Sequence, residues 1–134
     1  MNAEQWLMRY IKLKRRAFEE QLKIKELRAS QVLPAPVNDG MPHGSGQSDL
    51  SGYAAKLLEM EEEYTRIWNR AKEVRGDIVA GIVENLPRGK QQRLFINKYI
   101  ADMGSEENAK ELGVSIRHYY RLWKDGLNRL NRAL

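Results

Sequence analysis

The stretch from Ser51 to about Asn85 constrains the fold more than any other. Leu57, Met60, Tyr64, Ile67, Ala71, Val74 and Ile78 recur at alternating steps of three and four, and Tyr53 and Ile82 extend the series. Apolar residues spaced in this way form a seam down one side of a helix, the pattern of a coiled coil. Such a stripe needs a partner helix. Residues 2–30 can supply one, because they contain no Gly or Pro. There Leu7, Ile11, Phe18 and Leu22 recur near helical spacing, interrupted at Lys14, and Trp6, Tyr10 and Ile24 widen the stripe. One long helix is expected; the alternative is two shorter ones breaking near Lys14–Arg16.

Folded back as an antiparallel hairpin, the two helices would set Glu59–Glu63 near Arg15–Lys25. The apolar residues flanking the stripes exceed what one thin partner covers, so a homodimer is also expected. By itself the arrangement implies no more than a stiff spacer or assembly arm.

Between the helices lies QVLPAPVNDGMPHGSGQSDL, residues 31–50, whose three Pro and three Gly leave little room for regular structure. MPHGSG has the glycines of a phosphate loop but lacks the GK[ST] that follows in one. His43 has no second His or carboxylate at a metal-ligand spacing. A flexible connector is the simpler reading, over a ligand site.

The last third reads differently. Leu86–Pro87 ends the long helix, with Pro87 suited to the first turn of the next. Gln91–Asp102 looks helical, with Leu94, Phe95, Tyr99 and Ile100 inward. Gly104–Ser105 breaks it, and Ser105 can cap a helix over Glu106–Leu112. Gly113 can take the left-handed conformation that closes that helix. Val114 can plug the corner, and Ser115 can cap the helix that follows. Helix, short corner, capped helix is the helix-turn-helix arrangement. The expected fold is therefore all-α: an N-terminal helix (1–30), a flexible loop (31–50), a long coiled-coil-like helix (51–85) and a helix-turn-helix domain (86–134).

Placed at 100° steps, Tyr119, Leu122, Trp123, Gly126, Leu130 and Ala133 share one face of the last helix. Arg117, Arg121, Lys124, Asn128 and Arg132 share the opposite one, with Asp125 at its edge. Packing explains the first set. The second sets like charges beside one another, which mildly destabilises a helix in water and turns favourable against phosphates. Residues 88–134 hold ten Lys/Arg against five Asp/Glu, while residues 31–87 hold five against nine. The basic end fits a polyanion and the middle would repel one.

In a helix-turn-helix the start of the second helix enters the major groove. Ser115, Arg117, His118 and Arg121 would then lie nearest the bases, where Arg pairs with guanine. Tyr120 sits on the flank, its ring suited to a thymine methyl or its hydroxyl to a phosphate. Lys124 and Asn128 fall further along, towards the backbone. Arg88, Lys90 and Arg93 are further phosphate candidates. For all of these the plain alternative is a solvated charged face. Tyr119 and Trp123 read as core.

An enzyme is not expected. The chain has no Cys, and no metal-ligand set, Walker loop or nucleophile elbow. No cofactor or metal is implied. No apolar run approaches the roughly 18 residues of a membrane span, so a cytoplasmic protein with no membrane partner is expected.

The stretch from Leu86–Pro87 through RLFINKYI and AKELGVSIRHYYRLWKDGLNRL resembles the fourth region of sigma-70-type factors. The whole layout, with its MPHGSG loop, resembles small phage regulators of the ArpU/RinA type. The resemblance implies a sequence-specific DNA-binding activator of phage late genes, working on double-stranded DNA in the bacterial host cytoplasm, with host RNA polymerase as a further partner. It puts base reading at Arg117, Tyr120 and Arg121, with Ser115 and Ile116 beside them. Asn97 and Asn108 depart from the pattern, standing where such motifs carry aliphatic residues. Asn108 would bring an amide to the core, so its helix is expected to be weakly held or to pack on another subunit. The competing functions are a small-terminase-like DNA-packaging protein and a helical interaction protein that never meets DNA.

Overall fold

The computed structural model describes residues 1–32 and 46–134. Within them the chain is all-helical, with no strand: α1 (Ala3–Leu7), α2 (Arg9–Val32), α3 (Gly46–Asn85), α4 (Lys90–Tyr99), α5 (Ser105–Leu112) and α6 (Ile116–Ala133). His43 and most of the MPHGSG stretch fall outside the described residues. The long helix begins at Gly46, five residues before the expected start at Ser51.

The N-terminal segment is two helices, and the interruption is at Met8, not near Lys14–Arg16. Asn2 starts α1 with a reciprocal cap: its side chain accepts from the Gln5 N–H at 2.8 Å, and Gln5 Oε1 accepts from the Asn2 N–H at 3.1 Å. Ala3 and Leu7 are buried in the core that α6 joins, and the Ala3 N–H donates to Asn131 Oδ1 at 2.7 Å. The slack at Met8 lets this first turn lie on α6 while α2 follows α3.

Along α1 and α2 the order of contacts with α3 is reversed. Trp6 lies on Gly81, Ala17 and Gln21 line a hollow with Tyr64 and Trp68, and Arg28 pairs with Glu61. Glu61 meets Arg28, just beyond the expected Arg15–Lys25 stretch, while Lys23 inside that stretch lines a hollow with Met60. Arg15 instead reaches Asp102 at 3.7 Å. At the other end the Trp6 ring lies directly on Gly81, where a Cβ would overlap it.

The α2 seam also differs. Tyr10, Ala17 and Ile24 are buried, with Leu13 and Leu27 half-buried, whereas Phe18 and Leu22 remain 59% and 42% exposed. Small Ala17 holds the seam position; Phe18 lies at its edge, lining the hollow with Tyr64 and Trp68, and Leu22 stays exposed.

In α3 the periodic residues from Ile67 to Ile82 are buried, and those from Tyr53 to Tyr64 are half-buried. Leu86 is buried in the same core and Pro87 follows outside any helix. Pro87 is not in the first turn of α4, which starts at Lys90 after Gly89 (φ 141°). The residue before a Pro avoids helical angles, so the Pro acts as a stop for α3. Just past the end of α3 the Gln92 amide donates to Leu86 O at 3.3 Å.

One core spans the molecule. Ala3 and Leu7 of α1, Val74, Ile78 and Ile82 of α3, Leu94, Phe95 and Tyr99 of α4, Ala109 and Leu112 of α5, and Tyr119 and Leu130 of α6 belong to a single cluster. Residues 86–134 therefore share their interior with both long segments. α4 ends at Tyr99, short of the expected Asp102, and Asp102 takes a left-handed conformation (φ 55°) at the turn into α5. Ser105 is already inside α5; Gly104 precedes it and no side chain caps the start.

Candidate nucleic-acid interface

The corner between α5 and α6 is set by Gly113 (φ 70°, ψ 34°), a conformation costly for residues with a Cβ. There the Gly113 N–H donates to Lys110 O at 3.1 Å and the Val114 N–H to Ala109 O at 3.0 Å, satisfying the open end of α5. Val114 packs half-buried against the core. Ser115 opens α6: its hydroxyl oxygen accepts from the His118 N–H at 3.1 Å. The Ser115 oxygen is thus engaged in capping, and its O–H remains able to donate outward.

Three polar links hold the inner side of α6. The Asn108 amide, fully buried, donates to Leu94 O at 3.1 Å and to the Tyr119 hydroxyl at 3.3 Å, and accepts from Asn97 Nδ2 at 3.0 Å. The two asparagines that break the sequence pattern are therefore joined by one of these bonds. The expectation that Asn108 leaves α5 weakly held is corrected: its hydrogen bonds join α4, α5 and α6. Gln91, also buried, donates through Nε2 to Leu122 O and Asp125 Oδ2, both at 2.9 Å. The Trp123 indole N–H donates to the Tyr99 hydroxyl at 3.0 Å, with the Lys98 ammonium over both rings.

Burial pushes the Tyr99 phenol up to about 12, against the opposing pull of the Trp123 hydrogen bond. Asp125, at the edge of α6, is held below the usual carboxylate range, chiefly by the Gln91 hydrogen bond and then by the charge of Arg129. Its carboxylate also accepts from Arg129 Nε at 3.1 Å. Phe95 lies against Gly126, where a Cβ would come within 2.6 Å of the ring Cζ. The helix thus approaches α4 closely at its middle.

The outer side of α6 carries Arg117, Arg121, Lys124, Asn128 and Arg132, all exposed. None of its four cations makes an ion pair among the described residues. Five of the ten other arginines do: Arg15, Arg28, Arg66, Arg70 and Arg129 each have a carboxylate. His118 is exposed beside the cap, and Tyr120 is 49% exposed with its ring set edge-on to Tyr119 and Trp123. Arg88, Lys90 and Arg93 are brought together elsewhere. They line an open cleft between α4 and the end of α5, together with Gln92, Asn97 and Glu111.

Sequence reading missed Gln91 and Lys98 as supports of α6. Gln91 left a signal, an amide four residues before Phe95 on an otherwise apolar face. Lys98 left none, because a cation over aromatic rings needs the third dimension.

Comparison with protein-family models, with curated proteins and with solved structures found no match to this chain. Among the described residues no group of His, Cys or acidic residues is placed to hold a metal ion, and no helix is long and apolar enough to cross a membrane.

Proposed function

We propose that this chain is a sequence-specific DNA-binding transcription regulator, built as an antiparallel helical hairpin followed by a sigma-like helix-turn-helix. In this reading α6 is the recognition helix. Ser115, Arg117, His118, Tyr120 and Arg121 meet base edges, and Lys124 and Asn128 meet the backbone. Arg88, Lys90 and Arg93 take flanking phosphates. One observation carries the reading: the outer row of α6 is cationic and lacks ion-pair partners among the described residues, on a helix whose other side is tightly fixed. Phosphates complement such a row and release counterions on contact.

The likeness to ArpU/RinA-type regulators supports activation of phage late genes in a bacterial host, with RNA polymerase as a second partner. The expected assembly is a homodimer. A small-terminase-like packaging protein is favoured instead by one feature, the exposed Phe18 and Leu22 on the arm, which suit assembly with further copies. Mass measurement in solution separates the two: a dimer fits regulation and a ring of many subunits fits packaging.

The direct experiment selects duplexes from a random-sequence pool with the full chain, then measures affinity by mobility shift. Arg117→Ala and Arg121→Ala should each weaken the selected duplex by about tenfold or more, as expected for lost Arg–guanine pairs. Equal affinity for selected and unselected duplex would end the claim of specificity.

A further inference from the structure

α6 carries a second exposed row beside its cations. Ile116 and Tyr120 lie one helical turn apart and are 45% and 49% exposed. Each precedes an arginine of the outer row, Arg117 and Arg121. Two large apolar side chains left in water on a helix with a well-packed inner face call for a partner. Both are also stiff. Ile is β-branched and restricted at χ1. The Tyr120 ring stands at 84° to both Tyr119 and Trp123, with centroids 5.3 Å and 6.3 Å away. Tyr119 is fully buried and its hydroxyl is bonded to Asn108, so the surface holding Tyr120 is itself fixed. A preorganised apolar edge loses little freedom on contact.

We propose that Ile116 and Tyr120 form a reading edge for thymine methyl groups in the major groove; this rests on the DNA-binding reading of α6. Continuity and charge select this occupant. The edge adjoins the cationic row, so whatever covers it also lies against Arg117 and Arg121, and a polyanion satisfies both. Within a duplex groove the apolar group that distinguishes a base pair is the C5 methyl of thymine. Four residues of helix advance about 6 Å, so the two side chains span about two base-pair steps. The recognised sequence should therefore place thymines within a step or two of the guanines met by the arginines.

The experiment uses duplexes recovered from the random pool by the full chain. Each thymidine is replaced in turn by deoxyuridine, which keeps the base pair and removes only the methyl. At one or two positions affinity should fall about three- to fivefold, the worth of one buried methyl. Ile116→Ala or Tyr120→Ala should abolish that sensitivity at the matching position, while Tyr120→Phe should retain it. Uniform indifference to deoxyuridine, with sensitivity to 7-deazaguanine intact, would overturn the methyl edge and leave the arginine reading standing. A methyl effect that survives both alanine variants would also overturn it, because another residue would then meet the methyl. Failure to enrich any duplex would remove both this edge and the DNA reading beneath it.

Discussion

The Asn108 node offers the sharpest check on how the three C-terminal helices are held. Asn108→Leu keeps the branched shape and the number of heavy atoms but removes the amide. Its three partners fare differently. Leu94 O keeps its helical bond, and half-buried Asn97 can turn to water. Tyr119 is fully buried, and its hydroxyl is stranded. A stranded buried polar group costs about 1–3 kcal/mol, and a lost hydrogen bond about 1 kcal/mol. The single change should therefore cost about 3 kcal/mol. Tyr119→Phe alone removes one of the Asn108 bonds and should cost about 1 kcal/mol. In the double variant both polar groups are gone, and the loss should return to about 1 kcal/mol, a coupling of about 2–3 kcal/mol. Urea unfolding followed by circular dichroism at neutral pH measures all four corners of the cycle. Simple additivity would refute the reasoning, since it would mean that Asn108 and Tyr119 do not depend on each other.

Two glycine substitutions should move stability in opposite directions. Gly126→Ala forces a methyl into the immobile Phe95 ring and should destabilise by about 1–3 kcal/mol. Gly76→Ala, exposed in α3 with nothing near the added carbon, should stabilise by up to about 1 kcal/mol in thermal melts. The Tyr99 phenol, raised to about 12, predicts an alkaline transition. Below pH 10 the phenol is neutral in both states and its contribution is intact. Between pH 10 and 12 the unfolded chain ionises first, so stability falls, by up to about 2–3 kcal/mol; Tyr99→Phe should lack this component when melting is followed against pH. Leu7→Ala should cost about 2–5 kcal/mol. It should lower one common transition, seen alike by a fluorescence probe at Trp68 and one at Trp123; two separate transitions would contradict the shared core.

The all-helical class was legible because the strict spacing over residues 51–85 and the absence of Gly and Pro from residues 2–30 leave a chain few options. The α5–α6 corner was legible for a local reason, since Gly113 and Ser115 act within a few residues of themselves. What could not be read depended on distant partners. The α2 seam passes through Ala17, and nothing in the sequence of α2 says that α3 comes close enough to make so small a residue the core position. The break at Met8 reflects the docking of Ala3 and Leu7 on α6, more than 120 residues away. Asn108 looked like a defect because its partners, Leu94 O and Tyr119, lie on other helices. Among the candidate site residues the row on α6 was readable from its periodicity. The separate placement of Arg88, Lys90 and Arg93 beside the end of α5 was not.

The fixed and free sides of α6 bear on one another. Its inner side and edge take every described tertiary side-chain hydrogen bond the helix makes: Tyr119 with Asn108, Leu122 and Asp125 with Gln91, Trp123 with Tyr99, and Asn131 with Ala3. A helix anchored along its length cannot rotate to bring Arg117 and Arg121 near a carboxylate. Their repulsion at i,i+4, a few tenths of a kcal/mol, is therefore built into the folded state. Nothing in packing requires it, because uncharged residues would serve an outward face equally well. Salt screens such exposed charges within about 10 Å, so it weakens this internal repulsion and the proposed attraction to phosphate together. The net effect is decided by number. A duplex presents one phosphate for every ~1.7 Å of axis, and each phosphate neutralised releases bound counterions. The attraction therefore outweighs the strain it relieves, and affinity for DNA should fall with salt while stability of the free chain rises slightly.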